Sequence, residues 1–497
     1  MYLQIVNRII PTIIFLLFSQ VSNANSYQQK FDRFLINTID TLDLKSSLSV
    51  AVVKDGTVIY QNTHGYANIA KQEKATANTL YYIASITKPI FSLAIQRVLS
   101  QSKYSLHTTL KEMFPEVNFQ TEIKAEHITI KDLLAHTSGL SDQYLTTAVS
   151  LTGIHNPTLK LTMLTHLTIN EENPLGQFDY TNLGYNIISL WYEKTFYHPW
   201  QTVVKQHVLT PMNMLSTTGF KSEALQNNEQ IAKPYTYFSL SPQKALYLEK
   251  QDNTLHAAGG IYSTISDMAT FLIHQLSAKQ ISSLSKSIHF TQKPIVALDS
   301  ARGDFKRTHY GLGWYIGPYK QHKTYHHFGS FDGYRPHLSF MPEQGIGLVI
   351  LNNEGMLNDK LTDVIADYIY GSLLKENAIE QTAAARLAKL ANMAKKYRTV
   401  YVKKEQGYLE KPLALTLDKK TFTGTYAHPL AGEVNISLND EKYFVTWGNL
   451  HATATAFKQP DILRIKLRPT RGQLIRFDIE QHGISALTLD GITFNKQ

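Results

Sequence analysis

Ser85-Ile86-Thr87-Lys88 sets a hydroxyl and an ammonium three residues apart, so on a helix the two side chains share one face. A serine hydroxyl is a poor nucleophile until a neighbouring base takes its proton or a cation stabilises the alkoxide. A helix N-terminus here would add backbone N–H donors and a positive dipole end, both favourable to a developing oxyanion. Ser-x-x-Lys also occurs at Ser100, Ser241, Ser283 and Ser372, so the string alone singles out nothing. Tyr180-Thr181-Asn182 places a phenol two residues from a carboxamide, on the same side of an extended segment. A phenol of pKa about 10 acts as a base near neutrality only beside cations that favour the phenolate. Tyr-x-Asn recurs at Tyr60 and Tyr66 and is equally weak in isolation. The third group is His327-Phe328-Gly329-Ser330, with Gly333 just beyond. Gly329 would let a strand approach a substrate closely, and the N–H of Ser330 could serve as an oxyanion donor. His327 taken alone reads as a sheet-edge histidine with a satisfied hydrogen bond.

Regular elements must hold these groups. A helical stretch over 27–42 precedes two strand-like runs, 48–53 and 57–61, joined by Asp55-Gly56, a tight-hairpin signal. Ile86, Ile90, Leu93 and Arg97 recur at three- and four-residue spacing and predict a helix running to about residue 100. Residues 130–210 read mainly as helix and loop, with 183–193 the clearest helix. Strand patterns return in 313–316, 336–340 and Ile346–Asn352, followed by a helix over about 361–375. Strands at both ends with helices between predict an α+β domain whose sheet unites the two ends. An Ala- and Lys-rich connector follows over 376–414, helical in 382–397. Beyond it Val434/Ile436/Leu438, Tyr443/Val445, Leu463/Ile465/Leu467 and Phe477/Ile479 alternate at period two, and 486–489 continues the strand character. This predicts a small all-β domain over 415–497.

The 497 residues include no cysteine, which excludes a disulfide framework, a thiol nucleophile and a thiolate metal site. With 43% hydrophobic and 18% charged residues, the chain belongs with folded globular proteins. Residues 373–420, the connector with its flanks, hold eleven Lys or Arg against five acids, so this run contributes +6 of the net charge of +9. That run reads as a solvated helix and linker. No nucleic-acid-binding module accompanies it, and a nucleic-acid partner is not expected. Residues 1–24 carry one charge (Arg8), an apolar run from Ile9 to Phe18, and Ser22-Asn23-Ala24 with small residues at −3 and −1. They read as a secretory signal cleaved near Ala24, which implies a periplasmic or secreted mature chain, 25–497, with no stable membrane span.

Ser-x-x-Lys, then Tyr-x-Asn, then His-x-Gly, separated by 95 and 147 residues, resembles the serine β-lactamase and penicillin-binding protein superfamily. The likeness is to its class C-like, D-peptidase and esterase branch. Leu133-Leu134-Ala135-His136-Thr137-Ser138-Gly139-Leu140 resembles that family's loop before its helical subdomain. Phe178-Asp179-Tyr180-Thr181-Asn182-Leu183-Gly184-Tyr185 resembles its Tyr-containing segment. Ala257-Ala258-Gly259-Gly260-Ile261-Tyr262-Ser263-Thr264 with Asp267, and Tyr310-Gly311-Leu312-Gly313-Trp314, are further similar stretches. The resemblance spans about 30–375 and implies a β-lactamase-like fold over 25–375, an antiparallel sheet flanked by helices with a helical subdomain. It implies Ser85 as nucleophile, Lys88 as its activating partner, Tyr180 as shared general base and acid, and Asn182 as the group positioning the substrate amide. Ser85 and Ser330, with Gly329 giving access, would form the oxyanion and substrate-binding side, and His327 would occupy the third motif. The implied course is acylation of Ser85 followed by attack of water or another acceptor, without metal or cofactor.

One departure from the wider family matters. Lys-Thr-Gly and Lys-Ser-Gly, common in the third motif, occur nowhere in the chain. A histidine can be neutral at pH 7, and Phe328 offers no hydroxyl for a β-lactam carboxylate. Arg335, the nearest cation in sequence for an anionic group, reads more simply as a surface arginine. His-x-Gly resembles the esterase and D-aminopeptidase members. The expectation is therefore an exported serine hydrolase, a D-amino-acid peptidase, carboxypeptidase or esterase, acting on a small molecule or peptide such as one derived from peptidoglycan. The rivals are a class C-like β-lactamase and a catalytically silent binding protein of penicillin-binding-protein type. The 415–497 domain is similar to β domains appended to some relatives, where they shape or cover the active-site entrance.

Overall fold

The computed structural model describes residues 26–497 except 143, 278–281, 356 and 481–482; the signal-like segment 1–24 lies outside the described residues. The first helix, α1, covers residues 26–42. An eight-stranded sheet is built from β1 (Leu48–Lys54), β2 (Thr57–His64), β3 (Val296–Arg302), β4 (Phe305–Tyr310), β5 (Tyr315–Tyr319), β6 (His322–Phe328), β7 (His337–Met341) and β8 (Ile346–Asn352). Its spatial order is β2-β1-β8-β7-β6-β5-β4-β3, with antiparallel neighbours throughout. The two most apolar strands, LSVAVVK and IGLVILN, pair at the centre with Val50 opposite Ile350. The N- and C-terminal parts thus share one sheet, as the strand pattern predicts. Asp55 (φ 50°) and Gly56 (φ 80°) both turn left-handed, the conformation that a two-residue hairpin of this twist requires.

Alternate residues of the central strands face opposite layers. Val50, Val52, Leu348 and Ile350 pack with Phe31 and Leu35 of α1, with Ile365 of α5 (Asn358–Leu373), and with Leu387 of a long helix over Ile379–Glu410. Ala51, Val53, Val349 and Leu351 face the larger core, which includes α2 (Thr87–Leu99), α3 (Leu183–Phe196) and α4 (Ile265–Leu276). Eleven of the thirteen residues of α2 are buried, so it is a core helix without a solvent face. The architecture is α+β, helices on both faces of an antiparallel sheet.

Three elements differ from the sequence expectation. The β3–β4 hairpin was not visible in the sequence because VALDSAR is a mostly exposed edge strand without an apolar face. β6, HKTYHHF, was hidden by its histidines, of which His326 and His327 are buried all the same. The connector helix, α6 (Ile379–Glu410), runs 32 residues and outlasts its apolar stripe. Its last turns are held by polar contacts, with Glu405 2.7 Å from Arg464 and 3.3 Å from Lys466.

The remaining chain is an all-β domain. Its strands are β9 (Gly424–His428), β10 (Gly432–Asn439), β11 (Lys442–Trp447), β12 (Leu450–Thr453), β13 (Thr455–Ala456), β14 (Ile462–Arg468), β15 (Arg471–Glu480), β16 (Gly483–Leu489) and β17 (Ile492–Lys496). Their order is β12-β11-β10-β9-β17-β16-β15-β14-β13, and β12 approaches β14 so that the sheet curls into a barrel. The alternating residues Val434, Ile436, Val445, Leu463 and Ile465 point into its core. The barrel rests on the helical insertion: His155 Nε2 donates to Leu430 O at 3.0 Å, Asn449 N donates to Thr152 O at 2.8 Å, and Tyr144 stacks on His428.

Candidate active site

Ser85 lies in a single 3-10 turn, Ala84–Ile86, directly before α2, and Lys88 sits in the first turn of that helix. Ala84 has φ 45°, a left-handed backbone that costs a non-glycine residue about 1–2 kcal/mol. The turn is held by Ile83, whose N–H donates to Ile261 O at 3.0 Å and whose carbonyl accepts from Ile86 N at 3.1 Å. Gly313 of the Tyr310–Trp314 string lets β5 seat against the start of α2, because a Cβ there would stand 2.6 Å from Pro89 Cα. A Cβ on Gly329 would meet the carbonyl oxygen of Ile83 at 2.5 Å. Gly329 thus brings the end of β6 against the serine turn.

Lys88 is buried, and its ammonium nitrogen donates to Asn182 Oδ1 at 2.7 Å, Ala258 O at 2.8 Å and Ser85 Oγ at 3.3 Å. Burial holds its pKa well below the usual lysine value. The Tyr180 hydroxyl is hydrogen-bonded to Ser85, and its ring centroid lies 4.8 Å from Lys88 Nζ. Tyr180 is 36% exposed as a whole residue, but protein encloses the surroundings of its hydroxyl. That enclosure, with Tyr315 beside it, pushes the phenol pKa well above 10 despite the opposing hydrogen bond from Ser85. Lys88 is therefore the group more ready to take a proton, and Tyr180 the group more ready to hold one.

Asn182 begins α3; its oxygen faces Lys88, and its amide nitrogen donates to no protein group among the described residues. The backbone N–H groups of Ser85 and Ser330 likewise meet no acceptor among the described residues. Gly329 N, by contrast, is engaged with Pro336 O at 2.9 Å.

His327 is buried at the end of β6, with ring centroids of Tyr315 at 5.6 Å and Tyr180 at 6.0 Å. Its Nδ1 bonds Phe328 O at 3.1 Å, which leaves Nε2 as an unpaired acceptor. Burial, then Lys88, Arg307 and His136, hold it well below 6.5 and so neutral. Phe328, one residue on, faces the opposite layer and stacks on His326 and His337. The absence of a hydroxyl at Phe328 is therefore not what shapes this side of the sheet. Arg335 lies off the site and donates to the carbonyls of Phe331 and Tyr334.

Two groups were not assigned a role from the sequence. His136 (φ 60°) holds both flanks of Tyr180: its carbonyl accepts from Asp179 N at 2.8 Å and its Nδ1 from Thr181 N at 3.3 Å. Its ring lies 4.5 Å from that of Tyr180 and its Nε2 meets Tyr310 OH at 3.2 Å. The signal was present in the His136–Leu140 string, but not which atoms His136 would hold. The other group is the pair Lys250 and Arg468, which line a cavity of about 170 Å³ together with Ser85, Asn182, Ser330 and Phe331. A larger cavity of about 480 Å³, between the 236–247 loop, α6 and the barrel, contains none of the three motifs. Among the described residues no group of three His, Asp or Glu is placed to hold a metal ion.

His136, His256, His326, His327 and His337 are all buried and all held below 6.5, chiefly by desolvation. Below about pH 6.5 the unfolded chain takes up protons that the folded chain refuses, so stability is full above that pH and falls as the pH drops. Each such histidine removes up to about 1.4 kcal/mol per pH unit. Melting followed by circular dichroism is expected to show Tm falling between about pH 7 and pH 5. A flat Tm would mean that these imidazoles are not kept neutral by the fold.

Residues 36–367 match the beta-lactamase family, to which this chain belongs. Among curated proteins it is 24% identical over 365 residues to Protein flp of Staphylococcus aureus (strain NCTC 8325 / PS 47), covering 73% of this chain and 69% of that protein. It is 23% identical over 315 residues to the putative penicillin-binding protein PbpX of Bacillus subtilis (strain 168), covering 63% and 72%. In structure it is similar to the octameric penicillin-binding protein homologue from Pyrococcus abyssi, with TM-score 0.59 and 20% identity over 94% of this chain and 99% of that one. SurE is also similar, with TM-score 0.54 and 15% identity over 96% and 99%. No helix among the described residues is long and apolar enough to cross a membrane.

Proposed function

We propose that the chain is an exported, periplasmic serine hydrolase that cleaves amide or ester bonds of small D-peptides, as a peptidase or carboxypeptidase, through an acyl-Ser85 intermediate. The observation that carries this reading is the single hydrogen-bonded cluster of Ser85, Lys88, Asn182 and Tyr180. Lys88, held toward its neutral form, accepts the Ser85 proton as Oγ attacks the carbonyl carbon. The oxyanion is received by the free N–H groups of Ser85 and Ser330, and the Asn182 amide nitrogen donates to the substrate. Tyr180 gives its proton to the departing amine or alkoxide and is reprotonated by way of Lys88. Water then attacks the acyl carbon, and the same groups return the proton to Ser85 Oγ.

The third motif favours a peptide over a penicillin. A cationic third motif would attract the β-lactam carboxylate, and here the position is held by a buried neutral imidazole. The test compares an N-acyl-D-Ala-D-Ala peptide, its L,L isomer, a p-nitrophenyl ester and a chromogenic cephalosporin. The expected result is turnover of the D-peptide or ester, with the cephalosporin slower by about 10²-fold, the scale of one charge-assisted contact. Fastest turnover of the cephalosporin would make the chain a β-lactamase. Turnover of none would favour a binding protein.

A further inference from the structure

Behind the helix Thr147–Thr152 lies a separate cavity of about 200 Å³, lined entirely from residues 145–256. Thr147, Ser150 and Leu151 face the cavity that opens on Ser85, Val149 faces this one, and His256 lines both. Part of its wall is apolar, with Val149, Leu190 and Trp200 all buried. Its charged groups are of opposite sign. Lys160 comes from the helix Pro157–Met163, and its ammonium meets no acceptor among the described residues. Glu193 comes from α3. Its Oε1 accepts from Trp200 N at 3.2 Å, and its Oε2 meets no donor among the described residues. The two charges act on each other, yet no ion pair joins them. Gln201 is buried beside them with its Oε1 unpaired. The other ionisable groups of the lining are engaged: Asp252 accepts from Ser222 N at 3.2 Å, His155 Nε2 bonds Leu430 O at 3.0 Å, and His256 Nδ1 bonds Asn186 Oδ1 at 3.2 Å. Burial pushes the Lys160 ammonium down and the Glu193 carboxyl up, as for charges short of a partner.

We propose that this cavity is a binding site for a free α-amino acid with a small apolar side chain, its carboxylate paired with Lys160 and its ammonium held by Glu193 and Gln201 Oε1. A zwitterion supplies the partner that each of the two charges lacks, and Val149, Leu190 and Trp200 receive the side chain. A molecule with one charge would leave the other protein charge unpaired. The cavity is smaller than the roughly 300–1,000 Å³ that takes a drug-sized ligand, which limits the occupant to a few heavy atoms. The site makes no use of Ser85, so it stands or falls independently of the hydrolase reading.

The test is calorimetric titration of the unaltered chain with each enantiomer of valine, with isovalerate, which lacks the amine, and with isobutylamine, which lacks the carboxylate. The better valine enantiomer is expected to bind about 10-fold tighter or more than either single-charge analogue, the scale of one charge-assisted hydrogen bond. Lys160→Met keeps the aliphatic stem and should bring valine down to the affinity of isobutylamine. Glu193→Gln keeps an acceptor for Trp200 N and should bring valine down to the affinity of isovalerate. No binding of either enantiomer, equal affinities for valine and its analogues, or a valine affinity that survives both substitutions would overturn the site. The last result would place valine in another cavity. The analogue series is read on the unaltered chain, so a variant that fails to fold does not remove the test.

Discussion

Ser85→Ala is expected to lower turnover by roughly 10⁵–10⁶-fold, the scale on which an acyl-enzyme mechanism loses its nucleophile. The fold should not notice. Ser85 is only partly buried, and its hydroxyl receives the longest of the three bonds from Lys88, at 3.3 Å. After truncation Lys88 keeps Asn182 Oδ1 and Ala258 O, both within 2.8 Å, so its ammonium is not stranded, and the Tyr180 hydroxyl loses its Ser85 partner beside the cavity that opens on residue 85. The left-handed Ala84 and the Ile83 contacts that hold the turn are backbone features and survive the change. Stability should stay within about 0.5 kcal/mol, as for a substitution outside the packed core. Steady-state kinetics and a thermal melt check the two halves together. A large loss of both activity and Tm would mean that the serine is structural.

Tyr180→Phe should cost roughly 10²–10⁴ in rate, the usual contribution of a positioned proton donor or base. The phenol is held above 10 and Lys88 is held down, so the loss should fall on expulsion of a poor leaving group. Amides should therefore suffer more than activated p-nitrophenyl esters, whose leaving group needs little protonation. The pH profile carries the same assignment. Activity of the unaltered chain should rise with pH through the depressed Lys88 pKa, and should show no limb from His327, which is already neutral well below 6.5. The ring stays in place without its hydroxyl, because His136 holds the backbone on both sides of residue 180. Equal losses on amides and activated esters would remove Tyr180 from the leaving-group step.

Much of this arrangement was legible before the structure. The central strands announced themselves by apolar runs, and the hairpin at Asp55-Gly56 by its turn residues. Ser85, Lys88, Tyr180, Asn182 and His327 stand around one point, at the junction of the 3-10 turn, the start of α3 and the end of β6. What stayed hidden depends on tertiary partners. VALDSAR becomes a strand only because Ser300 pairs with Arg307 and Ala301 with Lys306. His136 gains its place from two backbone amides 43 and 45 residues away, a relation that periodicity does not carry. Arg468 was one of many cations in an alternating β stretch. Only the packing of the barrel on the catalytic domain brings it to Asp332 and the Ser85 cavity. Phe328 shows the converse limit: its type was plain, but the side of the sheet it faces was not.

The central claim is that Ser85 is an activated nucleophile. It is tested most directly by intact-protein mass spectrometry of the chain from residue 25 onward after exposure to a fluorophosphonate probe, with Ser85→Ala alongside. One adduct is expected on the unaltered chain and none on the variant. An adduct that persists in Ser85→Ala, or no adduct on either chain, would contradict it.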